Sequence, residues 1–298
     1  MAQLCHLERL GRFAAAFNIR GVPRLLYGMR HLLRSDQAFE LKSGVRLHLN
    51  LADYFESMML WNKYQSALLT LVNRLLCPGA VVIDGGAHIG FLSFHMARIV
   101  GPRGKVYAFE PDPRAHARLA MAVTLNGMEG IVEPFKLALA SRDGPVDFFL
   151  SSQLGWSTAV PDSHLTNLTR TVVNAASIDS LVKQGLVVPA VSFVKLDLEG
   201  FEGEALAGMQ NLLLKSQPFV MFEVNCLMLK AKQDSPERLA RIFDSLGFQL
   251  YLIESHRKAY GPTNVRLQRV GQRWTWQDCD VLAVPHDLVK DIAGLLAA

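Results

Sequence analysis

The sequence predicts an open α/β fold with a mainly parallel sheet, and three observations carry that prediction. Residues 80–113 read as strand, glycine-rich turn, helix and strand, with an acid at the carboxyl end of each strand. Short apolar runs then alternate with helix-like segments along the chain, the pattern of a doubly wound sheet. Half of the 298 residues are hydrophobic and 19% are charged, a globular balance that allows a sizeable core and argues against disorder.

The elements follow in order. Residues 4–33 are helical in pattern, with Leu4, Leu7, Leu10 and Phe13 stepping by three, Arg9 and Arg12 off that stripe, and Pro23 as a break. Val45, Leu47 and Leu49 alternate with polar residues and predict a strand. The domain division expected is therefore a basic helical extension with a strand over 1–50 and an α/β domain over 51–298. A helix is predicted over 52–76, and Pro78-Gly79 turns the chain into the first sheet strand at 81–83. The glycine turn Gly85-Gly86-Ala87-His88-Ile89-Gly90 opens a helix over 89–100, and 106–109 is the second strand, closed by Glu110. Asp112 and Pro113 form an N-cap and N1 pair for a helix that Asn126-Gly127 ends. A third strand is expected over 131–139. Residues 146–150 and 170–175 form a local excursion of two strands around a polar segment with Trp156, a candidate substrate loop. Ser177 starts a short helix, 191–196 is the fourth main strand, 199–214 a helix, and 218–224 the fifth strand. Ser235-Pro236-Glu237 starts a further helix that Gly247 stops. The last two strands, 248–253 and 281–284, flank a polar, aromatic loop.

Charge and cysteine content narrow the function classes. Residues 1–35 hold six arginines against one acid, Glu8, so that segment carries +5 against +4 for the whole chain. The rest of the chain is close to neutral and shows no general attraction for nucleic acid. The basic segment reads as a helical cap with solvated arginines, or as a weak contact with an acidic membrane surface. Cys5, Cys77, Cys226 and Cys279 lack paired spacing, which argues against zinc knuckles and a disulfide framework and suits a reducing, cytoplasmic setting. No apolar run approaches the ~20 residues of a membrane span, and no secretory signal is read at the N-terminus.

The glycine loop discriminates between cofactors. A dinucleotide fingerprint needs G-x-G-x-x-G; read from Gly85, its middle glycine falls on Ala87. Asp84 directly before the loop would repel a pyrophosphate. S-adenosylmethionine carries no phosphate but a sulfonium, an ammonium and a ribose diol. Asp84 suits its cationic end, and Glu110 suits the diol, because a carboxylate accepts from both hydroxyls. The expected cofactor-binding residues are Asp84, Gly85, Gly86, Ala87, Gly90 and Glu110. The second loaded stretch is Lys195-Leu196-Asp197-Leu198-Glu199-Gly200-Phe201-Glu202. Asp197 ends a strand on the same sheet edge as Asp84. Glu199 and Glu202, three apart, share a helix face if the helix begins there. Asp197 and Glu199 are the expected catalytic residues. No resident metal is expected, with Asp197, Glu223 and Asn225 as a minority divalent-cation set. His88 lies inside the loop, and the other histidines have no metal-ligand spacing.

The segments VVIDGGAHIGFLS, VYAFEPDP, LALASRDGPVDFF, SIDSLV and FVKLDLEGFEGEALAGM, with the lead-in DYFESMMLWNKYQ, together resemble the FkbM family of S-adenosylmethionine-dependent methyltransferases over residues 53–250. The resemblance implies a class I methyltransferase fold: a seven-stranded sheet with helices on both faces and an antiparallel last strand. It implies O-methylation of hydroxyls on sugars, glycans or secondary metabolites. It matches Asp84, Gly86 and Gly90 to the cofactor loop, Glu110 to the ribose acid, and Asp197, Glu199 and Gly200 to acids near the reaction. His88 departs from the family's usual asparagine. The rival readings are a dinucleotide oxidoreductase, a non-catalytic methyltransferase-like scaffold and a nucleic-acid methyltransferase. Ala87 with Asp84, the intact cofactor acids and the near-neutral body disfavour them in turn.

Overall fold

The computed structural model describes residues 37–61, 64–151, 157–159, 168–256, 264–271 and 275–296. The basic segment over 4–33 and Trp156 lie outside them. A hairpin opens the described chain, β1 (Gln37–Glu40) pairing antiparallel with β2 (Arg46–Leu49). The single helix expected over 52–76 is two helices, α1 (Tyr54–Leu60) and α2 (Ser66–Leu75). Gln65 takes a left-handed φ of 43° and turns the chain between them. Asp53 caps α1 by accepting from the Glu56 amide at 3.0 Å.

The first βαβ unit forms as expected, from β3 (Val81–Gly85), α3 (Phe91–Val100) and β4 (Lys105–Phe109). Asp112 caps α4 (Pro113–Asn126), and Gly127 ends it in the left-handed conformation. The strand expected over 131–139 divides into β5 (Val132–Phe135) and β6 (Ala138–Leu139). Pro134 has no amide to donate, and the ladder with β4 stops at Phe135. β6 then joins β7 (Gly144–Leu150) and β8 (Thr169–Ala176) in a separate three-stranded sheet ordered β6-β8-β7; β7 and β8 are the predicted two-strand excursion, and β6 is added to it.

The chain returns through α5 (Ile178–Lys183) to β9 (Phe193–Leu196), α6 (Glu202–Ala207), α7 (Gln210–Ser216) and β10 (Phe219–Val224). The remaining elements are α8 (Cys226–Ala231), α9 (Pro236–Ser245), β11 (Phe248–His256), β12 (Asn264–Arg269) and β13 (Cys279–Pro285). Among the described residues the main sheet has eight strands ordered β12-β11-β13-β10-β9-β3-β4-β5, against seven expected. β13 runs antiparallel between β10 and β11, as expected of the last strand. The extra strand, β12, is an edge hairpin partner of β11 drawn from the loop expected between the last two strands. Its Val265 and Leu267 are buried, a two-residue apolar alternation too short to read in the sequence.

Both faces of the sheet are covered. Val82, Val106, Phe193 and Met221 pack into one core, and their strand neighbours Ile83, Tyr107, Val194 and Phe222 into another. Alternate residues of each strand therefore serve opposite cores, and the strands read as continuous apolar runs. The carboxyl ends of β3, β4, β9 and β10 share one edge, where ligands of open α/β sheets bind. Among the described residues, no helix is long and apolar enough to cross a membrane.

Candidate active site

A cavity of about 550 Å³ opens at that edge, a size typical of small-molecule sites. Its wall takes Gly86, Ala87 and His88 from the loop after β3, Glu110 after β4, Asp197 and Glu199 after β9, Glu223 of β10 and Asp280 of β13. Asp84, Gly85 and Gly90 support this wall from behind it.

The glycine loop is shaped by close backbone approach. Gly86 has φ 72°, and a Cβ there would sit 1.9 Å from the Asp197 carbonyl oxygen, so only glycine lets the two strand ends meet. The Gly86 and Ala87 amides both donate to the Phe109 carbonyl at 3.0 Å, tying the loop to the end of β4. His88 also takes a left-handed φ, 52°, a conformation that histidine and asparagine tolerate better than most residues. The departure from asparagine thus keeps the backbone geometry. The His88 amide donates to Glu110 Oε2 at 2.8 Å, and the Asp112 amide to Oε1 at 2.8 Å. Burial pushes the His88 imidazole down to about 4, with the nearby Arg118 acting in the same direction.

Asp84 is fully buried. Ser93 Oγ donates to its Oδ2 at 2.5 Å, and Lys195 Nζ lies 3.4 Å from its Oδ1. Its charge is thus turned toward the protein, one layer behind the cavity. Glu110 is 7% exposed, and burial pushes its carboxyl up to about 7 against the two amides that it accepts from.

The far wall is acidic. One carboxylate oxygen from each of Asp197, Glu199 and Glu223 lies within 4.8 Å of the others. Burial and then the Asp197 charge push Glu199 up to about 8 and Glu223 up to about 10. Asp280, opposite Glu223 in the β10–β13 ladder, is pushed up to about 6 for the same two reasons. The half-buried Tyr64 hydroxyl is raised by desolvation and then by Asp197. The helix expected from residue 199 starts instead at Glu202, because Glu199 has φ 51° and sits in the loop before it. Glu199 and Glu202 therefore do not share a helix face. Glu202 accepts from the Leu198 amide at 2.8 Å and closes that loop. Asn225 caps α8 by accepting from Met228 N–H at 3.2 Å, beside the acids rather than among the three that cluster.

The candidate substrate loop is described over 157–159, and Ser157 and Ala159 line the cavity. Ser157 Oγ donates to Asp112 Oδ2 at 2.8 Å, and Thr158 Oγ1 to the Glu199 carbonyl at 2.9 Å. This short piece clasps both sides of the site. Sequence reading did not assign a role to Lys195, Asp280, Tyr64 or Thr158. Only Lys195 left a signal, as a charge inside an apolar strand.

The cavity suits S-adenosylmethionine. Glu110 stands at the strand end where a ribose diol can reach it, Phe109, Leu137, Leu139 and Phe148 offer apolar wall, and the carboxyls of the far wall suit a cationic sulfonium. The fold and this edge define a class I methyltransferase architecture. The Methyltransferase FkbM domain family matches residues 84–250, and the chain belongs to this family of S-adenosylmethionine-dependent methyltransferases. It is similar to the hexuronic acid methyltransferase AglP of Haloferax volcanii, 34% identical over 158 residues that make up 52% of this chain and 61% of that protein. It is also similar to the 2-O-methyltransferase NoeI of Sinorhizobium fredii, 24% identical over 49% of this chain and 64% of that protein. The chain spans less than two thirds of the length of either relative. Among solved structures it is similar to the FkbM methyltransferase of Methylobacillus flagellatus KT, with 14% identity, 77% of this chain and 54% of that chain covered, and a TM-score of 0.41.

Proposed function

We propose that the chain methylates a hydroxyl oxygen on a sugar, glycan or small metabolite. The observation that carries this reading is one cavity walled on one side by Glu110 and the glycine loop, and on the other by Asp197, Glu199 and Glu223. The names of the two relatives, a hexuronic acid methyltransferase and a 2-O-methyltransferase, support an oxygen acceptor on a sugar-like molecule.

When bound, S-adenosylmethionine supplies a methyl group already activated on sulfur, so the protein's tasks are alignment and proton removal. Glu110 and the loop backbone hold the donor end. Asp197 orients the acceptor hydroxyl and takes its proton as oxygen attacks, with Glu199 as support. Glu199, raised to about 8, sits near the range where a general base works best.

The test is transfer of labelled methyl from S-adenosylmethionine to neutral hexosides, hexuronides and amino sugars, with and without EDTA. Labelling of a hydroxyl, lost by ~10²-fold or more in kcat with Asp197→Asn while S-adenosylhomocysteine affinity stays within about threefold, is the expected result. Turnover abolished by EDTA would move Asp197, Glu199 and Glu223 to a divalent-cation role. Methyl incorporation only at carbon or nitrogen would overturn the hydroxyl reading.

A further inference from the structure

Lys195 is a lysine in the middle of a buried strand. Its side chain is 5% exposed, and a buried ammonium persists only where partners replace its water. The partners are at hand. Nζ donates to the Gly86 carbonyl at 2.9 Å and stands 3.4 Å from both Asp84 Oδ1 and Asp197 Oδ2. Burial alone would drive the proton off; the Asp197 and Asp84 charges reverse that and raise its pKa. β3 and β9 pair in parallel with Asp84 opposite Lys195, so the contact is built into the sheet register.

We propose that Lys195 is the positioning residue of the site, holding the cofactor loop through Gly86 and the acceptor-side acid Asp197 with one buried charge. It touches neither reacting atom and acts through its partners. The proposal rests on the methyltransferase reading above. Two things follow from the geometry. The loop carbonyl and the Asp197 carboxylate keep a fixed spacing, because one ammonium joins them. The charge also acts on the other groups facing it, favouring the ionised forms of Glu110, Glu199 and Asp280 and the neutral form of His88. The Tyr64 hydroxyl faces it as well.

The experiment is the pH dependence of S-adenosylhomocysteine binding by calorimetry, which requires no acceptor. Wild type is compared with Lys195→Gln, which can still donate to the Gly86 carbonyl without a charge, Lys195→Met, which does neither, and Lys195→Arg, which keeps the charge. Both neutral variants should displace the acidic limb of the affinity profile upward by about one pH unit, and the methionine variant should also lose about tenfold or more in plateau affinity. The arginine variant should leave the limb in place. Weakened binding with an unmoved limb in both neutral variants would reduce Lys195 to a packing role and overturn the proposal. Should neither neutral variant fold, a limb displaced in Lys195→Arg would overturn it and an unmoved limb would uphold it. Absence of S-adenosylhomocysteine binding by wild type at every pH would instead refute the methyltransferase reading on which the proposal rests.

Discussion

At the scale of single residues, two acids that look alike in the sequence have different tasks. Asp84 and Glu110 each end a strand at the same edge, yet Asp84 faces Ser93 and Lys195 behind the cavity while Glu110 lines it. Their difference is set by the partners beyond them, which strand position cannot reveal. Glu110→Gln keeps shape and removes charge. It is expected to weaken S-adenosylhomocysteine binding by about 1–3 kcal/mol, the loss of hydrogen bonds to a charged group, measured by calorimetry at pH 8. Because the Glu110 carboxyl is raised to about 7, wild-type affinity should climb as pH rises through that value and then level off. The glutamine variant should show a flat profile; an equal climb in both would remove Glu110 from the donor contact.

At the scale of elements, the loop after β3 depends on the end of β9 as much as on its own glycines. Gly86→Ala would thrust a methyl against the Asp197 carbonyl at a φ of 72°. The expected cost is about 1–3 kcal/mol of stability with loss of S-adenosylhomocysteine binding, read by urea unfolding and calorimetry. Gly130→Ala, where a Cβ meets nothing within 4 Å, is the control and should stay close to wild type. This contact also marks where sequence reading stops. The βαβ unit, the caps at Asp112 and Gly127 and the strand-end acids were legible because each is local: an apolar run, a turn, a polar residue at its boundary. The clasp of Thr158 on Glu199, the pairing of Asp280 opposite Glu223 and the reach of Lys195 to Gly86 join residues 41 or more places distant and depend on which strands lie side by side. The early break of the helix at Glu199 was hidden because Glu and Gly after a strand-end Asp fit both a first helical turn and a loop.

At the scale of the whole molecule, the site carries a cost in charge. Glu110, Glu199, Glu202, Glu223 and Asp280 all hold protons more tightly in the fold than ordinary carboxyls do, with values raised to about 7, 8, 7, 10 and 6. A raised acid binds more protons folded than unfolded, so its contribution to stability falls as pH climbs from its unfolded value toward its folded one. His88, lowered to about 4, works the other way, but only up to its unfolded value near 6.5. Above pH 6.5 the acids prevail. The ligand-free protein is expected to melt at a lower temperature at pH 8.5 than at pH 6.5 in differential scanning fluorimetry. A higher melting temperature at pH 8.5 would show that these acids are already ionised at neutrality.

The small sheet β6-β8-β7 has a core of its own, with Ala138, Ala140, Phe148 and Ala175 meeting Phe201 and Ala159. It presents Phe148 to the cavity and meets one of the two main cores through Leu139 and Ala176. Substitutions there can reshape one wall while the donor loop and the central strands keep their sequence. The fit of that wall is thus open to revision by inheritance separately from the acids and the buried ammonium across the cavity, as a lock's wards can be recut without replacing its bolt.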